Sequence, residues 1–72
     1  MRISIEYCEK WNYKPRASRL EEELINEFSA DVELISSGGG VYEIVVDGKL
    51  IFSKKDLGRF PEDGEIGQLI NE

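Results

Sequence analysis

The chain has 72 residues, 40% of them hydrophobic, and 15 acidic against 9 basic residues leave a net charge of −6. That length allows one small domain and no second one, and the acidic balance argues against nucleic acid or an anionic lipid surface as the main partner. With no histidine and a single cysteine, Cys8, the chain lacks the residues for Ser/His or Cys/His nucleophilic catalysis, a histidine-ligated metal, a cysteine-cluster zinc site or an internal disulfide framework.

A lone cysteine fits a reducing compartment. The N-terminus alternates apolar and polar residues from Arg2 to Tyr7, and no apolar stretch approaches the roughly 20 residues of a membrane span. Neither a signal peptide nor a transmembrane helix is expected, and a cytoplasmic protein is the simplest reading.

In chain order, Ile3, Ile5 and Tyr7 alternate with Ser4 and Glu6, the period of a strand with one buried face, and predict β1. Pro15 stands where a first helical turn begins, and Ala17, Leu20, Leu24 and Phe28 recur at three- and four-residue spacing, so helix α1 is predicted over 15–28. Asp31 to Ser36 reads as a short strand, β2. A strand, a helix and a strand in so short a span form a βαβ unit, which crosses over right-handedly and leaves β1 and β2 parallel. Val41 to Val46 and Lys49 to Ser53 are β-rich runs joined by Asp47-Gly48, the signal for a hairpin with a type I′ turn, and predict β3 and β4. After Pro61, the acids Glu62, Asp63 and Glu65 precede Ile66, Leu69 and Ile70, placing negative charge at the positive end of a final helix.

The predicted order β1-α1-β2-β3-β4-α2 is an α/β (α+β) arrangement with a four-stranded mixed sheet. Because one side of β1 is polar, both helices are expected on a single face, as a two-layer sandwich. The same order brings Cys8 to Lys14, Ser36 to Gly40 and Ser53 to Phe60 to one edge. This is the carboxyl end of the parallel strands, where open α/β sheets bind ligands.

Cys8 lies at that edge, before the turn into α1, with Lys10, Lys14, Arg16 and Arg19 close behind it in sequence. Nearby cations and helix N–H groups lower a thiol pKa, so Cys8 is either an activated thiol or a buried, inert residue ending a strand. The glycines of Ser36-Ser37-Gly38-Gly39-Gly40 lack the following Lys-Ser/Thr of a phosphate-binding loop. They are expected to let a short connection cross β1, and Gly39 and Gly40 to let a substrate backbone approach the thiol. Trp11, Tyr13 and Phe60 either form an apolar docking patch around Cys8 or plug the core. Lys54, Lys55 and Arg59 either steer an acidic partner or protect the sheet edge from pairing with another molecule.

Several stretches together carry a resemblance. Ile5-Glu6-Tyr7-Cys8, Trp11-Asn12-Tyr13, Pro15-Arg16-Ala17, Gly39-Gly40-Val41-Tyr42-Glu43, Val46-Asp47-Gly48-Lys49-Leu50-Ile51-Phe52-Ser53-Lys54-Lys55 and Gly58-Arg59-Phe60-Pro61 resemble the selenoprotein W-like family (SelT/SelW/SelH, or Rdx) along nearly the whole chain. The resemblance implies a thioredoxin-like fold and a thiol or selenol redox site in the loop after β1. The family site is Cys-x-x-Cys or Cys-x-x-selenocysteine; here it reads Cys8-Glu9-Lys10-Trp11, with tryptophan at the second redox position.

Without a partner three residues on, Cys8 can form only mixed disulfides. Selenocysteine is encoded by UGA, one base from the tryptophan codon UGG, and the expectation is that position 11 is selenocysteine in the natural gene. The leading function is then disulfide exchange with glutathione or thiol-containing proteins. It has Cys8 and position 11 as catalytic residues and Lys10, Tyr13, Gly39, Gly40, Arg59 and Phe60 as substrate- or partner-binding residues. No cofactor is expected beyond selenium carried at position 11. The alternatives are a non-catalytic protein-binding module and a one-cysteine sensor that is glutathionylated without turnover.

Overall fold

The inward alternation of β1 decides the architecture. A computed structural model describes residues 1–72, and in it Ile3, Ile5 and Tyr7 are buried along one face of strand β1, Arg2–Cys8. The sheet has the order β2-β1-β3-β4, with β2 at Asp31–Ser37, β3 at Tyr42–Val46 and β4 at Lys49–Ser53. Strand β2 runs parallel to β1 and sets Val32 and Leu34 beside Ile3 and Ile5. Strand β3 runs antiparallel to β1 and sets Ile44 and Tyr42 beside Ile5 and Tyr7. A one-residue register shift at Ile44/Val45 brings Phe52 opposite Ile44, and a bulge of this kind strengthens the local twist.

Helix α1, Lys14–Phe28, starts one residue ahead of Pro15 and buries Ala17, Leu20 and Leu24, as its spacing predicts. It ends at Ser29, whose left-handed backbone lets its N–H bond the carbonyl of Ile25. The Asp47-Gly48 turn has φ of 49° and 84°, the pair of positive values that a type I′ hairpin requires. Asp47 also ties this turn to the start of β1: its Oδ1 accepts from the Arg2 N–H at 2.9 Å, and its own N–H donates to the Arg2 carbonyl at 2.8 Å.

Three features differ from expectation. Cys8 is the last residue of β1, paired with Ser37, rather than the first residue beyond the strand. Strand β3 begins at Tyr42 rather than Val41, whose carbonyl still accepts the Cys8 N–H at the strand end. A one-turn helix, α2, Lys54–Leu57, follows β4 directly, so that the final helix is α3, Glu65–Asn71. The signal for α2 stands in the sequence as Ser53-Lys54-Lys55-Asp56: the Ser53 hydroxyl accepts from the Asp56 N–H, the N-cap arrangement in which a serine satisfies a free helix donor. Glu65 alone of the three predicted acids lies in the first turn of α3.

Ile66 of α3 joins Ala17, Leu20 and Leu24 of α1 in the same core cluster as Ile3, Ile5, Ile44 and Phe52. Both helices therefore cover one face of the sheet, the expected two-layer sandwich. No helix is long and apolar enough to cross a membrane.

Candidate functional site

The carboxyl end of β1 is closed by a short hydrogen-bonded turn. The Asn12 N–H donates to the Glu9 carbonyl at 3.0 Å, and the Tyr13 N–H donates to the Cys8 carbonyl at 3.2 Å. Asn12 takes a left-handed φ of 61°, a conformation asparagine adopts at lower cost than most residues. Two further bonds join this turn to the β2–β3 connection: the Glu9 N–H to the Ser37 carbonyl at 3.1 Å, and the Ser36 hydroxyl to Glu9 Oε2 at 2.7 Å. The segments expected at one edge do meet there.

Within this turn the two positions of interest differ sharply in exposure. Cys8 is a free cysteine with no solvent-accessible surface, whereas Trp11 is 58% exposed. The Trp11 indole lies against Gly40, which has a φ of +72°; a Cβ on that glycine would collide with the ring. The space that the missing side chain opens at Gly40 is thus occupied by Trp11 itself, while Gly38 and Gly39 face open space. Gly39 is exposed and also has positive φ, and Lys10 is exposed at the tip of the turn. Helix α1 starts only at Lys14, and the Tyr13 N–H bonds the Cys8 carbonyl.

The aromatic residues form a chain leading away from the turn. Trp11 meets Tyr13 edge-on at 6.2 Å between ring centroids. Tyr13 meets Phe60 at 4.8 Å, and Phe60 meets Tyr42 at 5.2 Å. The alternatives divide among these residues: Trp11 is exposed, while Tyr13 and Phe60 are partly buried and pack against the core. Tyr42, which the sequence reading did not single out, sits at the centre of this group. It is completely buried, and its hydroxyl donates to the Arg16 carbonyl at 3.3 Å. Burial pushes that hydroxyl up to about 12, against a smaller opposing pull from the Arg16 charge.

Cations line the aromatic chain. The Arg16 guanidinium lies 3.9 Å from the Phe60 ring centroid, and Lys54 Nζ lies 5.3 Å from Phe60 and 5.7 Å from Tyr13. Arg59 is committed elsewhere: its guanidinium grips both carboxylate oxygens of Glu65 at 2.7 and 2.8 Å. That fork and the Glu62 N–H lower the Glu65 carboxyl to about 2. Arg59 therefore ties the loop before α3 to the helix's first turn.

The β4–α2 junction is anchored on β3. The Ser53 hydroxyl donates to Glu43 Oε1 at 2.6 Å while accepting from the Asp56 N–H at 3.2 Å. Glu43 Oε2 is buried without a partner. The Ser-x-x-Asp spacing reveals the cap; the link to Glu43 depends on the β3–β4 register, which places Glu43 opposite Ser53.

Comparison with known proteins agrees with this geometry. The chain is 35% identical over 57 residues to selenoprotein W of Mus musculus, covering 74% of this chain and 65% of the relative. It is 30% identical over 71 residues to migration and invasion enhancer 1 of Bos taurus, covering 97% of this chain and 62% of the relative. The chain thus spans less than two-thirds of the length of these two mammalian relatives. Selenoprotein W of Gallus gallus is 33% identical over 75 residues, covering 97% of this chain and 88% of that protein.

Among solved structures, a protein from Bordetella parapertussis superposes with a TM-score of 0.91 at 30% identity, covering 97% of this chain and 92% of that one. A selenoprotein W-related protein from Vibrio cholerae gives 0.83 at 33% identity, covering 97% and 91%. The pattern of the Rdx family matches residues 2–72, and with a thioredoxin-like sheet whose first turn holds Cys8 and Trp11, the chain belongs to the Rdx family, selenoprotein W-like.

Proposed function

We propose that the chain is a thiol/selenol redox protein in which position 11 is the attacking group and Cys8 the resolving thiol. The observation that carries this reading is the split of exposure within one turn, with residue 11 facing solvent and Cys8 fully buried. An attacking group must reach a bulky disulfide, whereas a resolving thiol needs only to reach the mixed disulfide formed beside it. The natural residue at position 11 is selenocysteine on this reading, and the indole of Trp11 stands in for a selenol it cannot chemically replace. A UGG codon at that position in the gene rules out the selenocysteine assignment.

The chemistry is testable in the chain itself through Trp11→Cys. The introduced thiolate attacks one sulfur of a glutathione mixed disulfide or protein disulfide, forming a mixed disulfide and expelling one thiolate, which takes a proton from water. The Cys8 thiol gives its proton to water and attacks the sulfur at position 11, expelling the second thiolate. Two electrons pass to the substrate, the 8–11 pair becomes a disulfide, and a thiol reductant such as glutathione restores it. The variant is expected to reduce a glutathione mixed disulfide and to lose both free thiols on oxidation, and the unmodified chain to do neither. If both thiols of the variant stay alkylatable after treatment with oxidised glutathione and no substrate is reduced, the redox reading fails.

A second reading is favoured by the exposed indole. With Trp11 genomic and Cys8 sealed, the same edge serves as an aromatic docking surface for a partner protein. A genomic UGG codon together with an inactive Trp11→Cys variant selects it. The one-cysteine sensor requires a thiol that glutathione can reach. It is tested by whether oxidised glutathione adds one glutathione mass to the folded chain and a reductant removes it.

A further inference from the structure

Two cations beside the site lack an ionic partner in a protein of net charge −6. The protein's one ion pair joins Arg59 to Glu65, which leaves Arg16 and Lys54 without a carboxylate. Glu23, two turns along α1 from Arg16, acts on the Tyr42 hydroxyl from a distance and does not pair with Arg16 either.

Both cations rest against aromatic rings, Arg16 at an exposed position and Lys54 at a half-buried one. The Arg16 guanidinium is stacked at 3.9 Å from the Phe60 centroid, and Lys54 is half-buried with Nζ within 6 Å of both Phe60 and Tyr13. Lys54 is also the first residue of α2, whose start is fixed by the link from Glu43 through the Ser53 hydroxyl to the Asp56 N–H. An aromatic face stabilises a cation without neutralising it, so the two charges stay available to an anion while their side chains have already lost much of their freedom. Pre-placed charges of this kind bind with a smaller ordering cost than free surface lysines.

We propose that Arg16 and Lys54, each packed against Phe60, form a carboxylate clamp that selects disulfide substrates lying in acidic protein segments. The proposal rests on the redox reading of position 11 and names its substrate class. The spacing sets the register. Ring-to-ring steps of 6.2 and 4.8 Å separate Trp11 from Phe60, roughly 11 Å at most, and an extended peptide advances about 3.3 Å per residue. The preferred substrate therefore carries an Asp or Glu about three residues from the cysteine presented to position 11.

Binding is tested on the unmodified chain by NMR titration with an extended peptide carrying Asp three residues from a Ser in place of the reactive cysteine, against the same peptide with Asn. The Asp peptide is expected to shift the Tyr13 and Phe60 resonances and to bind about tenfold tighter, a ratio equivalent to about 1.4 kcal/mol. Raised salt should shrink the preference, Arg16→Met with Lys54→Met should abolish it, and Arg16→Lys should retain part of it. Oxidised glutathione is the second arm. If it leaves those resonances unmoved, the clamp reads protein segments as proposed; if it displaces the peptide, the protein-segment assignment is overturned in favour of small acidic thiols. Equal binding of the Asp and Asn peptides, or a preference that survives the double substitution, overturns the clamp.

A parallel measurement separates this proposal from the redox reading. Trp11→Cys that reduces Asp- and Asn-bearing peptide disulfides equally well leaves the redox reading standing and refutes the clamp. An Asp preference in binding without any reduction by that variant does the reverse.

Discussion

Gly40→Ala measures whether the residue at position 11 truly rests on the β2–β3 connection. Gly40 has a φ of +72°, and placing a Cβ in the left-handed region costs about 1–2 kcal/mol. The same Cβ would strike the Trp11 ring, so the substitution also lifts the indole from its bed. Trp11 is 58% exposed, so about two-fifths of an aromatic surface of up to ~250 Å² is covered, roughly 100 Å². At about 25 cal/mol per Å² that cover contributes up to ~2.5 kcal/mol, an upper bound because the unfolded chain already buries part of it. Gly40→Ala alone should therefore destabilise by about 3 kcal/mol. In a Trp11→Ala background the collision is gone and only the conformational cost of about 1–2 kcal/mol remains. The coupling, on the order of 1–2 kcal/mol, is read from denaturant midpoints in a double-mutant cycle. Trp11 is the protein's one tryptophan, so its fluorescence reports the displacement directly as a shift toward the emission of a fully solvated indole. A coupling below about 0.5 kcal/mol with unchanged emission would show that the indole does not sit on Gly40, and that residue 11 does not face the glycine run.

Three further substitutions probe the supports of this edge. Glu65 has its carboxyl lowered to about 2 from 4.5, first by the Arg59 fork and then by the Glu62 N–H. A depressed folded-state value contributes stability above the unfolded value that is lost as pH falls, so Glu65→Gln should flatten the acid limb of the stability curve between about pH 4.5 and pH 2; an unchanged limb refutes the role of this pair. Tyr42 is raised from 10.0 to about 12 by burial, so its contribution is present below pH 10.0 and lost as pH rises towards 12. Tyr42→Phe should remove the late tyrosinate transition from an alkaline absorbance titration, and loss of the 3.3 Å bond to Arg16 should cost about 1 kcal/mol in a denaturant melt. Ser53→Ala breaks the link between Glu43 and Asp56. It should cost about 1–2 kcal/mol and loosen Lys54 from the Tyr13 and Phe60 rings, seen as smaller ring-current shifts on the Lys54 methylenes.

The parts of this structure legible in the sequence are those set by short-range periodicity. Ile3, Ile5 and Tyr7 announce a one-sided strand, Ala17, Leu20, Leu24 and Phe28 a helix face, and Asp47-Gly48 a turn whose backbone few other pairs tolerate. With these in place, the edge that gathers Cys8, Gly40 and Phe60 follows from connectivity alone. What the sequence left open depends on distances across the fold. Whether Cys8 is exposed hinges on how the turn after β1 closes against Ser37 and Val41, and no local pattern encodes that closure. Arg59 reads as a free surface cation until Glu65, six residues on, is seen to take both of its terminal guanidinium nitrogens. Tyr42 looks like one more core-facing strand residue, and only the packing of α1 on the sheet brings its hydroxyl to the Arg16 carbonyl.

The same geometry explains how so short a chain can keep a functional edge at all. Only 15 of 72 residues are buried, so the small core leans on partly buried rings at its edge. Tyr13 and Phe60 are such rings: they pack against Tyr42 and also carry the contacts to Arg16 and Lys54. A substitution such as Phe60→Ala should consequently lose stability and, on the proposed clamp, substrate selection together, whereas exchange of Trp11, outside the core cluster, should cost no more than the ~2.5 kcal/mol of its own cover. Position 11 is the place in the turn where the side chain can be exchanged with the fold left standing.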